Sequence, residues 1–551
     1  MSLKPNPINQ IPKETIRISK AVFPKGNRYI LLRDTFGDLF DTSDFQHLFS
    51  KEGKPAENPA RLALITILQF AEQLSDERAA DAVRSRIDLK YLLALPLEDP
   101  GFDSSVLCEF RARLIEGNNE LLVFNKLLER FHTHKLLRER GKQRTDSTHV
   151  LTAVHALNRL SCAGQTFRHA LNVLATVAPE WFLEHTQPEW VERYGKPFEV
   201  DHMVKPAKQA ERTMLERTIA ADGLYLLNAV FCATSLTWLQ EVPAIQTLWQ
   251  VWIQNFTWNE DATLRFRTDE QVPPARMFIN SPIDVDARLS KKRATYWVGY
   301  KAHLTETCDE DLPILFTNVE TTLATTQDFD VVNNIHSALK VRGLLPNEHL
   351  MDMGFIAAQT LVEAQQDHMV NLVGPARQDE RWQSWSAKGF AAENFKIDWE
   401  AQSLTCPAGK TSTSWTAVNN TRGKPVFRIR FGLRHCKLCA FKTDCTKASS
   451  RTVTLQVRER HEALVAARDR EATEGFKVLY AKRAGIEGSI SLGVRCFDLR
   501  RSRYVGFRKT QLQHLMIACA MNLVRVADWL AGNVRAVTRL ARFERVMVAA
   551  A

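Results

Sequence analysis

One aspartate, set in the middle of a strand-like run, constrains the fold more than any other feature. The segment Gln143-Arg-Thr-Asp-Ser-Thr-His-Val-Leu-Thr-Ala-Val is rich in β-branched residues, which suit a pleated, half-buried strand. Asp146 stands inside it between the hydroxyl residues Thr145, Ser147 and Thr148. Aspartate is depleted in strands, so one at mid-strand points to a task performed there. Strand signals return in Tyr296-Trp-Val-Gly-Tyr-Lys-Ala-His-Leu-Thr-Glu-Thr and in Leu312-Pro-Ile-Leu-Phe-Thr-Asn-Val-Glu-Thr-Thr. The acidic Asp309-Glu-Asp between them reads as a hairpin connection. A helix follows, capped around Asp328 or Asp330 and running to Leu339. Glu348-His-Leu-Met-Asp-Met-Gly-Phe then predicts a short strand ending at Asp352, where Gly354 permits a tight turn. Another helix and the short apolar strand Met369-Val-Asn-Leu-Val complete the series. That order predicts an α/β layered arrangement with a mixed sheet.

Two blocks interrupt it. Residues 155–280 return to helical periodicity and carry Trp181, Trp190, Trp238, Trp249, Trp252 and Trp258, expected mostly as core. Residues 376–460 are polar, Arg-rich and cysteine-bearing. Before the first strand, residues 1–135 read as mostly helical, with starts at Pro59, Ser75 and Asp103. Helix, turn and a last helix with Arg111 and Arg113 are compatible with a DNA-reading unit, and equally with a plain bundle. The chain closes with helices, one carrying Glu487 and one from Lys509 to Leu530.

A length of 551 residues implies two to four domains, or one domain with large insertions. The net charge of +10 is concentrated in the last third, in Arg495 to Arg503 and Arg508-Lys509. A polyanion suits that pattern, nucleic acid being the commonest; a solubility surface is the plain alternative. Met1 to Lys25 lacks an apolar h-region, so no export signal is expected. The apolar stretch Leu512–Leu530 is broken by His514, Asn522, Arg525 and Asp528, which excludes a membrane span there. Ten cysteines without a signal sequence are expected as reduced thiols or metal ligands.

Tyr480, Arg483 and Glu487 lie three to four positions apart and so share one face of a helix. Alone, such neighbours are usually a solvated surface pair, and each aspartate alone reads as a cap or turn residue. Together, Asp146, Asp352 and Glu487 are three carboxylates on separate strands and a helix. Such a set can hold two divalent ions that bind the attacking and leaving oxygens of a phosphodiester. Mg²⁺ suits an all-oxygen donor set. In the polar block, Cys436-Lys-Leu-Cys439 has the gap that lets two thiolates clasp one zinc, with Cys406 and Cys445 as further ligands. Four reduced thiols, partly packed, are the alternative. Lys424 to Phe431 alternates apolar and basic residues, as a β-ribbon would. The other six cysteines lie singly near apolar residues and are expected in the core.

Several blocks in order resemble a known family. They include Gly37-Asp-Leu-Phe, Phe110-Arg-Ala-Arg-Leu, Arg144-Thr-Asp-Ser-Thr, Asp284-Val-Asp-Ala-Arg and Met351-Asp-Met-Gly-Phe. Cys406-Pro-Ala-Gly-Lys-Thr, Arg483-Ala-Gly-Ile-Glu-Gly-Ser-Ile-Ser and Leu499-Arg-Arg-Ser-Arg-Tyr-Val-Gly-Phe continue the series. The chain resembles bacterial insertion-sequence transposases with an Asp-Asp-Glu triad, closest to the insertion-sequence family numbered eleven eighty-two. The resemblance implies a ribonuclease-H-like catalytic core, a mixed sheet flanked by helices, over 142–375 with 461–535. Residues 1–135 would form a helical domain binding transposon ends, 155–280 a helical insertion, and 376–460 a Cys-containing insertion with a possible structural Zn²⁺. Asp146, Asp352 and Glu487 would be the catalytic triad holding Mg²⁺ or Mn²⁺, two ions in all. Arg483 and Arg495 would hold phosphates, Tyr480 would meet an unpaired base, and Lys301 and His303 would line the adjacent strand as DNA contacts. Val494 stands where a Lys is usual in the signature, with Arg495 one residue late, and Phe355 replaces a Tyr. The implied activity is hydrolysis at a transposon end followed by attack of the freed 3′-hydroxyl on a second phosphodiester. Double-stranded DNA (transposon ends and target), a homo-oligomeric DNA complex, and a cytoplasmic, nucleoid-associated location without membrane contact follow from the same resemblance. A non-transposing nuclease of the same fold, a catalytically silent DNA-binding derivative, and a scaffolding protein are the competing readings.

Overall fold

The computed structural model describes residues 2–3, 10–154, 157–198, 209–232, 234–379, 381–386, 388–421, 423–533, 542 and 546–547. Residues 534–535, the end of the expected catalytic core, lie outside that set. Among the described residues thirteen strands form, and six of them build the central sheet. These are β1 (Lys142–Leu151), β4 (Arg288–Lys292), β5 (Thr295–Thr307), β6 (Phe316–Leu323), β7 (Glu348–Met351) and β8 (Asn371–Val373). β5 pairs antiparallel with β1 on one edge and with β6 on the other, and β4 folds back on the first residues of β5. β7 joins β1 in parallel and β8 joins β7 in parallel. The sheet is therefore mixed, with β1 at its centre. Gly299 lies where β1 and β4 both meet β5; its φ is +150°, and a Cβ there would collide with the Val150 carbonyl.

The strand register decides which side chains can meet. Asp146 pairs with Leu304, so Arg144, Asp146 and Thr148 share a face with Ala302, Leu304 and Glu306. Thr145, Ser147 and His149 share the other face with Lys301, His303 and Thr305. The helix Phe507–Leu530 lies on the Asp146 face: His514 hydrogen-bonds Thr321, and Asn522 bonds both backbone groups of Phe316. That helix is buried along most of its length, polar residues included: His514 and Asn522 find partners on the sheet, and Thr510 and Gln513 find theirs in the loop of residues 501–506.

Two helices of residues 13–133 begin where capping chemistry predicts, while the helix expected from Asp103 starts at Ser105 without a side-chain cap at Ser104. Asn58 caps Pro59–Ala71 and Ser75 caps Asp76–Ser85 through side-chain acceptance of backbone N–H groups. The helices of this region share one hydrophobic core with the sheet and with Phe507–Leu530, including Phe110, Phe131, Leu304, Met351 and Met516.

Residues 157–279 form a block with a core of its own, centred on Phe167, Trp190, Tyr194 and Trp252. Among its described residues it holds five helices, a short 3₁₀ turn and a small hairpin of β2 (Phe256–Trp258) and β3 (Leu264–Phe266). Trp181, Trp190 and Trp252 are core, but Trp238, Trp249 and Trp258 are exposed, so the expectation of core tryptophans holds for half of the six. The block leaves the sheet at Thr152 and returns at Asp284, and these two side chains hydrogen-bond each other while Tyr300 donates to the same carboxylate. Beside this neck, the loop after Leu499 zips onto the end of β1, Leu151 N–H donating to the Arg500 carbonyl and Ser502 N–H to the Leu151 carbonyl.

The polar block is also structured. β9 (Lys396–Asp398) pairs with β10 (Ser403–Thr405), and β11 (Ser414–Asn419), β12 (Pro425–Arg430) and β13 (Thr452–Gln456) form a three-stranded antiparallel sheet. The alternation of 424–431 thus marks the middle strand of a sheet, not a two-stranded ribbon. Its inward residues Ile429, Phe431, Val453 and Leu455 pack with Phe395 and Leu404 into a small core.

Candidate active site

Asp146 lies near the middle of β1 and is nearly buried. Its Oδ1 accepts the Ser147 N–H at 2.7 Å and its Oδ2 accepts Arg483 Nη2 at 2.6 Å. Burial raises its carboxyl above the usual range, against the lowering pull of Arg483 and the Ser147 N–H. Asp352 stands one residue past β7, beside β1, rather than inside the strand. Its Oδ1 accepts the Gly354 N–H at 2.8 Å. Gly354 is there because of crowding: a Cβ would sit 3.0 Å from Asp352 Oδ1 and 3.1 Å from Asp328 Oδ2. The buried Met351 and Phe355 anchor the turn from both sides.

The third carboxylate comes from the C-terminal helices. Helix Glu474–Ala481, capped by Thr473, runs through a 3₁₀ turn at Lys482–Ala484 into helix Gly485–Cys496. Tyr480, Arg483 and Glu487 therefore lie on two helices and the turn between them, yet Arg483 and Glu487 keep their i,i+4 contact at 2.7 Å. Arg483 is the centre of the site. One guanidinium meets Asp146 at 2.6 Å, Glu487 at 2.7 Å and Asp352 at 4.0 Å. The guanidinium is held above its usual range by these carboxylates and the Tyr480 phenol, although burial acts the other way. Tyr480 stacks on Phe476 at 5.3 Å, and burial pushes its phenol up.

The structure thus brings Asp146, Asp352, Glu487, Arg483 and Tyr480 together. Arg495 is on the Glu487 helix, exposed, with its Nε bonded to the Ser491 carbonyl. Lys301 and His303 depart from expectation. They belong to the opposite face of the sheet from Asp146, because side chains alternate along β5. Lys301 Nζ bonds the Thr326 carbonyl at 2.7 Å and Asp328 at 3.3 Å, and His303 is wholly buried against Thr322, Asp328 and Phe355. His303 is a packing residue, not a DNA contact. Burial lowers its titration to about 4.

Beneath the site lies an ion cluster that the sequence analysis missed. Glu306 is fully buried; its Oε1 meets Arg144 Nη2 at 2.7 Å and its Oε2 meets Arg525 Nη1 at 2.9 Å. Nothing in Glu306's local sequence marks it, since its partners lie on another strand and on a helix more than 200 residues away.

Among the described residues, no three His, Cys, Asp or Glu side chains stand together as a metal site. Around Arg483 the reason is plain: the guanidinium lies between the carboxylates and spaces them. The donor set still fits a hard divalent cation, since it is all oxygen and gathers round a positive charge. In the polar block, Cys406, Cys436, Cys439 and Cys445 are free thiols lining one small cavity of about 30 Å³. Backbone N–H groups of Lys410 and Arg451 point at Cys406 Sγ (3.4 Å) and Cys436 Sγ (3.5 Å). Burial and the other three thiols push Cys445 up, with Arg451 opposing. Of the six single cysteines, Cys162, Cys308 and Cys519 are buried, whereas Cys108, Cys232 and Cys496 are exposed and not core. Among the described residues no helix is long and apolar enough to cross a membrane.

Two parts of the chain match known protein families. Residues 405–527 match the family described as a Transposase DDE domain, and residues 17–113 match the one described as a Transposase domain (DUF772). The first match spans Arg483 and Glu487; the second covers most of the N-terminal helices. Nothing matches among curated proteins or among solved structures. Both matched families are described as transposase domains, and each match covers less than half of the chain. They do not favour the alternative readings.

Proposed function

We propose that the protein is a transposase that cuts and rejoins DNA at insertion-sequence ends with Asp146, Asp352 and Glu487 as its catalytic carboxylates. The observation that carries the reading is their convergence on Arg483 from sequence positions 341 residues apart at the extremes, 146 to 487. A mixed sheet with Asp146 on its central strand and Asp352 at the end of the adjacent parallel strand supports a ribonuclease-H-like core. The three carboxylates would hold Mg²⁺ or Mn²⁺. The chemistry such ions supply when bound is an activated water and neutralised charge at the scissile phosphodiester.

The chain's own groups prepare that site. Asp146 is desolvated, so its interaction with any cation is strong. Arg483 neutralises the carboxylates and has a flat, multidentate guanidinium suited to a phosphate oxygen once a cation takes over that neutralisation. Tyr480 presents an aromatic face beside the carboxylates for an unpaired base. Arg495 is exposed on the same helix as Glu487 for a backbone phosphate. Residues 1–135 would bind the transposon ends, in a homo-oligomer that pairs two of them. The four-thiol cavity would hold a structural Zn²⁺, and purified protein should then contain one zinc that Cys436→Ser removes.

The test is cleavage of linear DNA carrying the element's own ends, with Mg²⁺ or Mn²⁺. Asp146→Ala, Asp352→Ala and Glu487→Ala should each abolish nicking and strand joining while leaving end binding intact. Full cleavage by any one of them would remove that residue from the site. Hydrolysis without joined products would reduce the protein to a nuclease.

A further inference from the structure

We propose that Glu306 is a positioning residue, which sets the distance between the segment bearing Arg483 and Glu487 and the strand bearing Asp146. The proposal rests on the catalytic reading above. Glu306 is on β5, fully buried, and on the same sheet face as Asp146. It accepts from two arginines, and each extends past it to the C-terminal segment. Arg144, two residues before Asp146 on β1, reaches Glu306 through Nε (2.8 Å) and donates through Nη1 to the Lys482 carbonyl. Arg525, on the helix Phe507–Leu530, reaches Glu306 through Nη1 and donates through Nη2 to Ser489 Oγ at 2.6 Å. Lys482 and Ser489 bracket Arg483 and Glu487, so both ends of the functional segment are tied to one carboxylate.

Two further observations show how closely the clamp is fitted. Gly485 opens the Glu487 helix, and a Cβ there would collide with the Arg144 guanidinium. Arg525 also lies over the Phe316 ring at 4.7 Å, which fixes its guanidinium from the other side. An apolar contact would hold the helix to the sheet but leave it free to slide. Charge-assisted hydrogen bonds from planar guanidinium groups fix direction and register as well. Charges buried this deeply persist only when paired, so loss of Glu306 leaves two cations without their shared partner directly under the site.

The experiment compares the full chain with Glu306→Gln and Gly485→Ala, the second of which displaces Arg144 without touching a carboxylate. Hydrogen exchange of segment 482–490 is measured, together with the Mn²⁺ concentration that gives half-maximal cleavage of end DNA. Both variants should speed exchange in 482–490 about tenfold, leave exchange of Phe507–Leu530 near the wild-type rate, and raise the Mn²⁺ requirement about tenfold with end binding unchanged. Unchanged exchange in Gly485→Ala overturns the clamp even if Glu306→Gln fails to fold. Faster exchange with an unchanged Mn²⁺ requirement overturns the positioning role. A wild-type chain that does not cleave, with exchange still faster in both variants, overturns the catalytic reading and upholds the clamp.

Discussion

The two faces of β1 are both polar and both buried, but they are built in opposite ways. On one face Arg144 and Asp146 join Glu306, Arg483 and Arg525 in a network of full charges. On the other, Thr145 bonds Thr305 at 2.7 Å and His349 Nε2 at 2.7 Å, and His349 Nδ1 bonds His336 at 3.0 Å, with no charge required. Burial pushes His336 down to about 3 and His349 well below its usual range, so both stay neutral near pH 7. The chain Thr305–Thr145–His349–His336 is the economical solution for a fold, because its hydrogen bonds join neutral groups and desolvate no ion. The charged face carries the desolvation cost where the proposed chemistry on DNA calls for fixed charge. On the proposed function, one strand separates what the sheet needs for folding from what it needs for reaction.

The largest expected effect breaks the charged face. Asp146→Asn should lower DNA cleavage on the order of 10³-fold or more while the protein stays folded, whereas Thr145→Val should not. Equal losses in the two variants, read by a cleavage assay and circular dichroism, would erase the distinction. Acid should act next, through the neutral face. Histidines whose folded pKa lies below the unfolded value of about 6.5 favour the folded state above that value and lose the contribution as pH falls. His336 at about 3, His303 at about 4 and His349 all have such a lowered pKa, and so does His514 at about 3, which packs against the opposite face of the sheet. Stability should therefore decline below about pH 6.5, by up to about 1.4 kcal/mol per pH unit for each histidine. Denaturant midpoints that are flat from pH 7 to pH 5 would contradict this. His349→Ala should cost about 2–4 kcal/mol in unfolding experiments without moving the Mn²⁺ dependence of cleavage. A changed metal requirement would mean that the faces communicate. The smallest effect is expected for Tyr480→Phe, which keeps the stack on Phe476: stability should change by less than about 0.5 kcal/mol. A larger shift in melting temperature would assign the phenol a structural bond.

The order of strands and helices was legible in the sequence because β-branched runs, caps and turn residues are local signals. Asp146 stood out because it contradicts its surroundings, and Glu487 because i,i+4 spacing survives even a break in the helix. Lys301 and His303 were misplaced because their face depends on the register of β5 against β1, which no local pattern encodes. Glu306 was invisible for a related reason: its significance lies wholly in Arg144 and Arg525, on other elements. The helix Arg458–Glu471 and the strand β4 also escaped notice, the first for its near-uniform polarity, the second because Arg-Leu-Ser-Lys-Lys reads as surface.

The hydrogen bond between Thr152 and Asp284 joins the departing and returning ends of the helical block. Because that block has its own core and its ends are pinned together, what lies beyond the neck transmits little strain to the sheet. A change in the length or shape of the block should therefore leave the strand beside it, and Asp146 on that strand, in register.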